Sequence, residues 1–284
     1  MARSTSEPAG SPGSPGSPDA AGSAFSPRAA AWLLWLAGYA VALAHGQLYP
    51  ASLPWLALLI AAGLGARQHR WPWLRPFSHG LLFALGVALA LHLLPGFGNA
   101  PVMQQLKLGE LAAPYSFYLN LDKPLIGLWL LWVCPWIVGV AAWPRIAGTV
   151  LRVAPPTILG CLAVAWLLQW VGWDPKWPPQ AWLWLANNVL LVCVVEEALF
   201  RGYLMGGLLR AGGVWARMAL PLSALLFGLA HLAGGWPMVL LATLAGLGYG
   251  WAWRRGGLLA AVAVHASLNL VHFGLFTYPM RMPL

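Results

Sequence analysis

The chain has 284 residues, of which 60% are hydrophobic and only 8% charged, with a net charge of +9 at neutral pH. So few charges cannot clothe a water-soluble globule, so a disordered protein, a disulfide scaffold and a soluble nucleic-acid binder are excluded. The composition fits an all-α, polytopic integral membrane helical bundle.

Residues 1–28 are rich in Ser, Pro, Gly and Ala, with a local Gly-Ser-Pro repeat between Gly10 and Pro18, and read as a disordered tail with nothing to bury. Nine apolar stretches follow, at about Ala29–Gln47, Leu53–Ala66, Phe77–Leu94, Leu125–Trp143, Pro156–Gly172, Ala181–Arg210, Arg217–Leu232, Trp236–Trp253 and Gly257–Phe276. The second and seventh fall at or below the roughly 17 residues a spanning helix needs. Ala42-Leu43-Ala44, at the end of the first, resembles the small-residue site of a cleaved signal peptide, and cleavage there leaves the remaining topology unchanged. Many of the 19 Trp fall near proposed helix ends, where an indole anchors at the membrane interface. The loop at 95–123 is solvated and long enough to cover one face. Residues 29–172 are thus an N-terminal set of transmembrane helices, and residues 181–276 a separate C-terminal core.

Charge orients the bundle. With a cytoplasmic N-terminus, Arg3, Arg28, Arg67, Arg70, Arg75, Arg145, Arg152, Arg201, Arg210, Arg217, Arg254 and Arg255 fall inside. Only Lys107, Lys123, Lys176 and Arg281 fall outside. Positive residues are retained on the cytoplasmic side during insertion, so the high pI is a topogenic signal and implies no nucleic-acid partner. Cys134, Cys161 and Cys193 lie inside apolar runs without metal-ligand spacing and read as small core residues.

Of the seven acidic residues, Glu7, Asp19, Glu110, Asp122 and Asp174 lie in aqueous segments; Glu196 and Glu197 lie inside an apolar helix. A charge at that depth costs at least about 2.5 to 3.5 kcal/mol on insertion scales and needs a partner or a job. Glu197 and Arg201 are four residues apart, about 40° in projection, which makes them an ion pair supporting the site. Glu196 points some 100° away and has no local cation. With a rise of about 1.5 Å per residue, Glu196 lies roughly 21 Å from Arg210, and His231 roughly 21 Å from Arg217. By the same measure His265 and Asn269 lie roughly 12 and 18 Å from Gly257, and share one helix face. One Glu, two His and one Asn therefore reach a similar depth; His272, a further turn along, is a neighbour without a role. Such a set suits peptide hydrolysis. A buried carboxylate takes a proton from water, and His and Asn side chains meet the developing oxyanion. No Ser or Cys nucleophile with a neighbouring base and no His-Glu-x-x-His is evident.

Glu196-Glu197-Ala-Leu-Phe-Arg201, Phe227-Gly-Leu-Ala-His231 and His265-Ala-Ser-Leu-Asn269 resemble, in order and spacing, the three motifs of the CPBP intramembrane endopeptidases. These are bacterial relatives of the eukaryotic CAAX prenyl endopeptidase, also called abortive-infection or bacteriocin-processing proteases. The likeness covers about Asn187 to Asn269, and Arg201-Gly202-Tyr203-Leu204 and Leu247-Gly248-Tyr249-Gly250-Trp251 fit it too. It implies a glutamic-type protease in which Glu196 activates water, His231 assists, and His265 and Asn269 form the oxyanion site. It also implies no cofactor, although Glu196, His231 and His265 are alternatively a three-ligand set for a divalent metal.

Two other classes stay open. A proton-coupled transporter also uses buried Glu and His, and predicts inverted repeats that the two halves do not show. A noncatalytic scaffold on the same fold would bind a membrane peptide. The expected partners are a membrane-associated or exported peptide or protein and the bilayer itself. Pro, Gly, Ala and Trp usage and short loops point to a multi-pass protein of a bacterial inner membrane. Gly246-Leu-Gly248-Tyr-Gly250 contains a Gly-x-x-x-Gly pattern expected to pack helices within the chain.

Overall fold

Inside a bilayer no water can satisfy a free peptide group, so uncharged apolar runs close their own hydrogen bonds as helices. The computed structural model describes residues 27–68, 70–139 and 141–282. The tail expected over 1–28 lies outside the described residues except for Pro27 and Arg28. These open α1 (Pro27–Ala44), followed by α2 (Leu53–Arg67), α3 (Leu74–Ala90), α4 (Pro124–Val133) and α5 (Trp143–Leu167). Then come α6 (Ala181–Ala211), α7 (Gly213–Leu229) and α8 (Gly235–Leu275), the last bent at Gly257. Four helical stretches, Pro50–Arg67, Trp143–Leu167, Ala181–Ala211 and Leu232–Leu275, are long and apolar enough to cross a membrane. Leu74–Ala90, Pro124–Val133 and Gly213–Leu229 are apolar but shorter. The protein is an all-α membrane protein in its main body.

Three expected elements need correction. The fourth apolar run is helical only to Val133, because Cys134 precedes Pro135, is pushed out of the helical region (φ −117°, ψ 66°), and ends α4. The fifth helix starts at Trp143, well before Pro156, and runs through Pro155 and Pro156. Proline already has a helical φ, and both rings lie on the exposed side of α5, so the missing N–H groups do not end the helix. The loop at 95–123 is not merely solvated coil. It holds an antiparallel hairpin, β1 (Asn99–Leu106) and β2 (Tyr115–Asn120), with two register irregularities. Its paired Met103 and Phe117 are buried against Trp184 of α6 and Phe273 of α8, which seats the hairpin on the ends of those helices.

Asp122 also departs from expectation. It is 2% exposed, paired with His92 Nδ1 at 2.5 Å, and accepts the Lys123 backbone N–H at 2.8 Å, so it ties the hairpin to the end of α3. Lys176 does the same for the loop before α6, donating to Asp174 O (2.9 Å), to Asp174 Oδ2 (3.3 Å) and to the Phe276 carbonyl. Burial pushes its ammonium below the usual lysine range, against the opposing pull of Asp174.

The packing follows membrane rules, in which small residues rather than the hydrophobic effect bring helices together. The buried face of α8 is built from Ala242, Ala245, Gly246, Gly250, Ala252, Gly256, Ala260 and Ala261, and it lies against α5 and α7. A second apolar cluster joins Leu59 of α2, Leu82 and Leu89 of α3 and Trp129 and Leu130 of α4 to Val195 of α6 and Val262 of α8. α4 thus connects the N-terminal helices to the core.

Candidate active site

α6 carries the acidic pair in an unusual stretch. A short α-helical segment, Val194–Glu197, sits between π-helical stretches at Asn188–Cys193 and Ala198–Met205. Such widened turns are costly and recur at functional sites. They flank the two carboxylates on both sides.

Glu197 and Arg201 are both wholly buried, and Arg201 Nη1 donates to Glu197 Oε1 at 3.0 Å. The expected pair therefore forms, but Arg201 is not one of the cytoplasmic-face charges with which it was counted. Its Nη2 donates to the Gly246 carbonyl at 3.2 Å, and its guanidinium lies over the rings of Phe227 (4.3 Å) and Tyr249 (5.2 Å). A side chain at Gly246 would meet Arg201 Nη2 at 3.0 Å and Ala224 at 3.1 Å, so glycine is what lets the α8 backbone reach the guanidinium. This places the Gly-x-x-x-Gly pattern inside the chain, as expected.

The same Glu197 Oε1 lies 2.9 Å from His265 Nδ1. A carboxylate only accepts, so Nδ1 holds the proton and donates it, which leaves Nε2 to face the other way. There Nε2 is 3.9 Å from Glu196 Oε2. The Glu196 side chain is 29% exposed, and its Oε2 has no hydrogen-bond partner among the described residues. The imidazole of His265 is held flat by Tyr249, stacked at 4.4 Å and 16°, and edge-on by Phe227 at 5.8 Å.

His231 follows the last turn of α7, with Nδ1 2.8 Å from the Phe227 carbonyl and the ring against Phe227 at 4.6 Å. Asn269 stands one turn beyond His265, and its Nδ2 donates to Asn188 Oδ1 (3.2 Å) and weakly to Cys193 Sγ (3.8 Å). His231, His265 and Asn269 all line one cavity of about 100 Å³, together with Phe227, Tyr249 and His272. Glu196 is not on its wall and connects to it through His265. Pro279 and Met280 close the cavity at the hairpin end. The segment carrying them is pinned by backbone bonds from Ala113 N to Met280 O, Arg281 N to Trp170 O and Met282 N to Leu111 O.

Sequence reasoning assigned no part to Asn188, Cys193 or Tyr249. Asn188 and Cys193 meet Asn269 from α6, and Tyr249 stacks on the imidazole, while His272, expected as a neighbour, shares the cavity with Nε2 buried and unbonded among the described residues. Cys193 is buried like Cys134 and Cys161, but it touches this polar group where they do not. An Asn eight residues before Glu196 in an apolar helix was the available signal. Among the described residues no group of three or more His, Cys, Asp and Glu is arranged to hold a metal ion.

The arrangement can do acid–base work. One carboxylate with a free oxygen faces an imidazole of fixed tautomer, whose other nitrogen is anchored by a second carboxylate, itself neutralised by an arginine. No curated protein and no solved structure matches the chain. A family model does match, across residues 178–271, the stretch that holds all three motifs. That stretch is similar to the family described as type II CAAX prenyl endopeptidase Rce1-like.

Proposed function

We propose that the protein is an intramembrane endopeptidase of the glutamic type, acting on a membrane-associated or exported peptide in a bacterial inner membrane. The observation that carries this reading is Glu196 Oε2, unbonded among the described residues and 3.9 Å from a histidine whose proton is fixed on its far nitrogen. In this scheme water lies beside Glu196 and His265, and Glu196 takes its proton as the oxygen attacks the peptide carbonyl. Asn269, on the cavity wall, supplies a hydrogen bond to the oxyanion, and His231, whose Nδ1 proton goes to the Phe227 carbonyl, assists through Nε2 as an acceptor; Glu196 then returns the proton to the leaving amine. Glu197 and Arg201 do not touch substrate; they hold His265. The family match supports the reaction class, and the ring of Phe227, Tyr249 and His231 supports a site that takes a backbone strand and not a large polar ligand.

The reading is metal-free, so a chelator leaves turnover unchanged; loss of activity on chelation, restored by one divalent ion, would replace it with a metalloprotease. Comparative peptide profiling of membranes from cells making the wild type or Glu196→Gln tests function and substrate together. A cleavage product present only with the wild type is expected. Identical peptide populations, with both proteins present at equal level, would sink the proposal.

A further inference from the structure

The end of the molecule opposite the hairpin carries a second, larger cavity. It is a groove of about 290 Å³ between the first turns of α5 and the bend of α8, lined by Pro144, Arg145, Gly148, Thr149, Arg152 and Arg255. Arg145, Gly148, Thr149 and Arg152 follow each other at helical i, i+3, i+4, i+7 spacing, so they form one stripe along α5. At Gly148 a side chain would meet nothing within 4 Å, which leaves the floor open. Thr149 is buried and its hydroxyl already donates to the Arg145 carbonyl at 2.8 Å, so its proton is engaged and the arginines are the donors the groove offers.

Among the described residues the three guanidinium groups have no acidic partner. None forms an ion pair with any described residue. Glu110, Asp122 and Asp174 belong to the opposite end, while Glu196 and Glu197 lie midway along α6. Arg145 Nε is occupied by the Arg255 carbonyl at 2.5 Å, and Arg255 is braced over the Trp251 ring at 4.8 Å; both still present their terminal nitrogens. Three close like charges repel one another, and a planar guanidinium is the side chain best suited to phosphate oxygens. Exposed Trp143 (75%) and Trp251 (45%) mark the interfacial level of this groove. Leu151 (75%), Leu159 (70%) and Leu259 (46%) extend an exposed apolar surface away from it along α5 and α8. That apolar continuation favours an amphiphile over a free anion.

We propose that this groove binds the phosphate of one anionic phospholipid headgroup, with Arg145, Arg152 and Arg255 on its oxygens and the acyl chains along the exposed leucines. Basic pockets between transmembrane helices are suited to such headgroups. The site lies apart from the catalytic group and does not depend on proteolysis. It clamps α5 to α8 two residues before Gly257, at the base of the helical limb that carries His265 and Asn269.

The test uses purified full-length protein in a neutral detergent, titrated with phosphatidylglycerol, phosphatidylcholine or inorganic phosphate. Retained lipid is counted by native mass spectrometry and the unfolding temperature is followed. One phosphatidylglycerol per chain is expected, with a raised unfolding temperature that phosphatidylcholine does not give. Arg152→Gln with Arg255→Gln should weaken that binding about tenfold or more, whereas Arg70→Gln with Arg217→Gln, which removes the same charge elsewhere, changes it less than about twofold. If the double variant fails to fold, Arg152→Gln alone, at an exposed residue, carries the test with a loss of about threefold or more. Equal weakening by both pairs, or equal retention of phosphatidylcholine, overturns the site. Protection by inorganic phosphate equal to that by phosphatidylglycerol overturns the lipid assignment in favour of a soluble anion.

Discussion

Glu197 accepts from two donors on one oxygen, Arg201 at 3.0 Å and His265 at 2.9 Å, and all three are buried. Removing one member of a buried ion pair leaves the other uncompensated and costs about 3–5 kcal/mol. Arg201→Met should therefore lower the unfolding temperature strongly, and Arg201→Lys should not rescue it, since one ammonium cannot reproduce the hydrogen bonds to both Glu197 and Gly246. A melting temperature for Arg201→Met within a degree or two of wild type would contradict this. Asn188→Leu acts differently. It removes the partner of Asn269 without a charge, so kcat should fall about tenfold or more with KM and stability little changed. At this scale Glu196, Glu197 and Arg201 were legible because a charge in an apolar helix needs an explanation, while His231, His265 and Asn269 were picked out by their similar depth and by the three motifs that hold them. Asn188 and Tyr249 were not, because a neutral amide or phenol in such a helix is inexpensive enough to pass as packing.

α8 delivers half of the site only because it bends at Gly257. That residue has φ 74° and ψ −167°, a conformation essentially confined to glycine, and a side chain there would meet the Gly139 carbonyl at 3.1 Å. Gly257→Ala should cost about 1–3 kcal/mol and shift the limb carrying His265 and Asn269, so activity falls at temperatures where the protein remains folded. Unchanged activity and unfolding temperature would show that the bend is not needed. The sequence placed a break between Trp253 and Gly257 from Arg254, Arg255 and two glycines, and placed it well. It misread α5, where paired prolines looked like a helix start, and it missed the hairpin, whose burial comes from contact with Trp184 and Phe273 far along the chain. Local patterns report breaks that cost energy locally; they do not report what distant packing repairs.

Across the whole molecule, the two ends differ in charge and in cover. The arginine groove and the Arg67, Arg210 and Arg255 guanidinium groups over tryptophan rings lie toward one end, and the hairpin, the loop before α6 and the C-terminal segment cap the other. Removing Arg201 from the inner tally leaves the charge bias intact, so the orientation with a cytoplasmic N-terminus stands as a proposal. Reporter fusions or cysteine labelling should find Arg254 and Arg255 inside and the 107–113 turn outside; the reverse pattern would invert the assignment and place the capped mouth of the cavity in the cytoplasm. The claim on which the functional account rests is that Glu196 moves the proton of the attacking water. The most direct measurement is turnover of one identified peptide by purified, reconstituted wild type and Glu196→Gln, with unfolding temperatures taken alongside. The account predicts a fall in kcat of about 100-fold or more with KM and unfolding temperature unchanged. Turnover by Glu196→Gln within about threefold of wild type would contradict it.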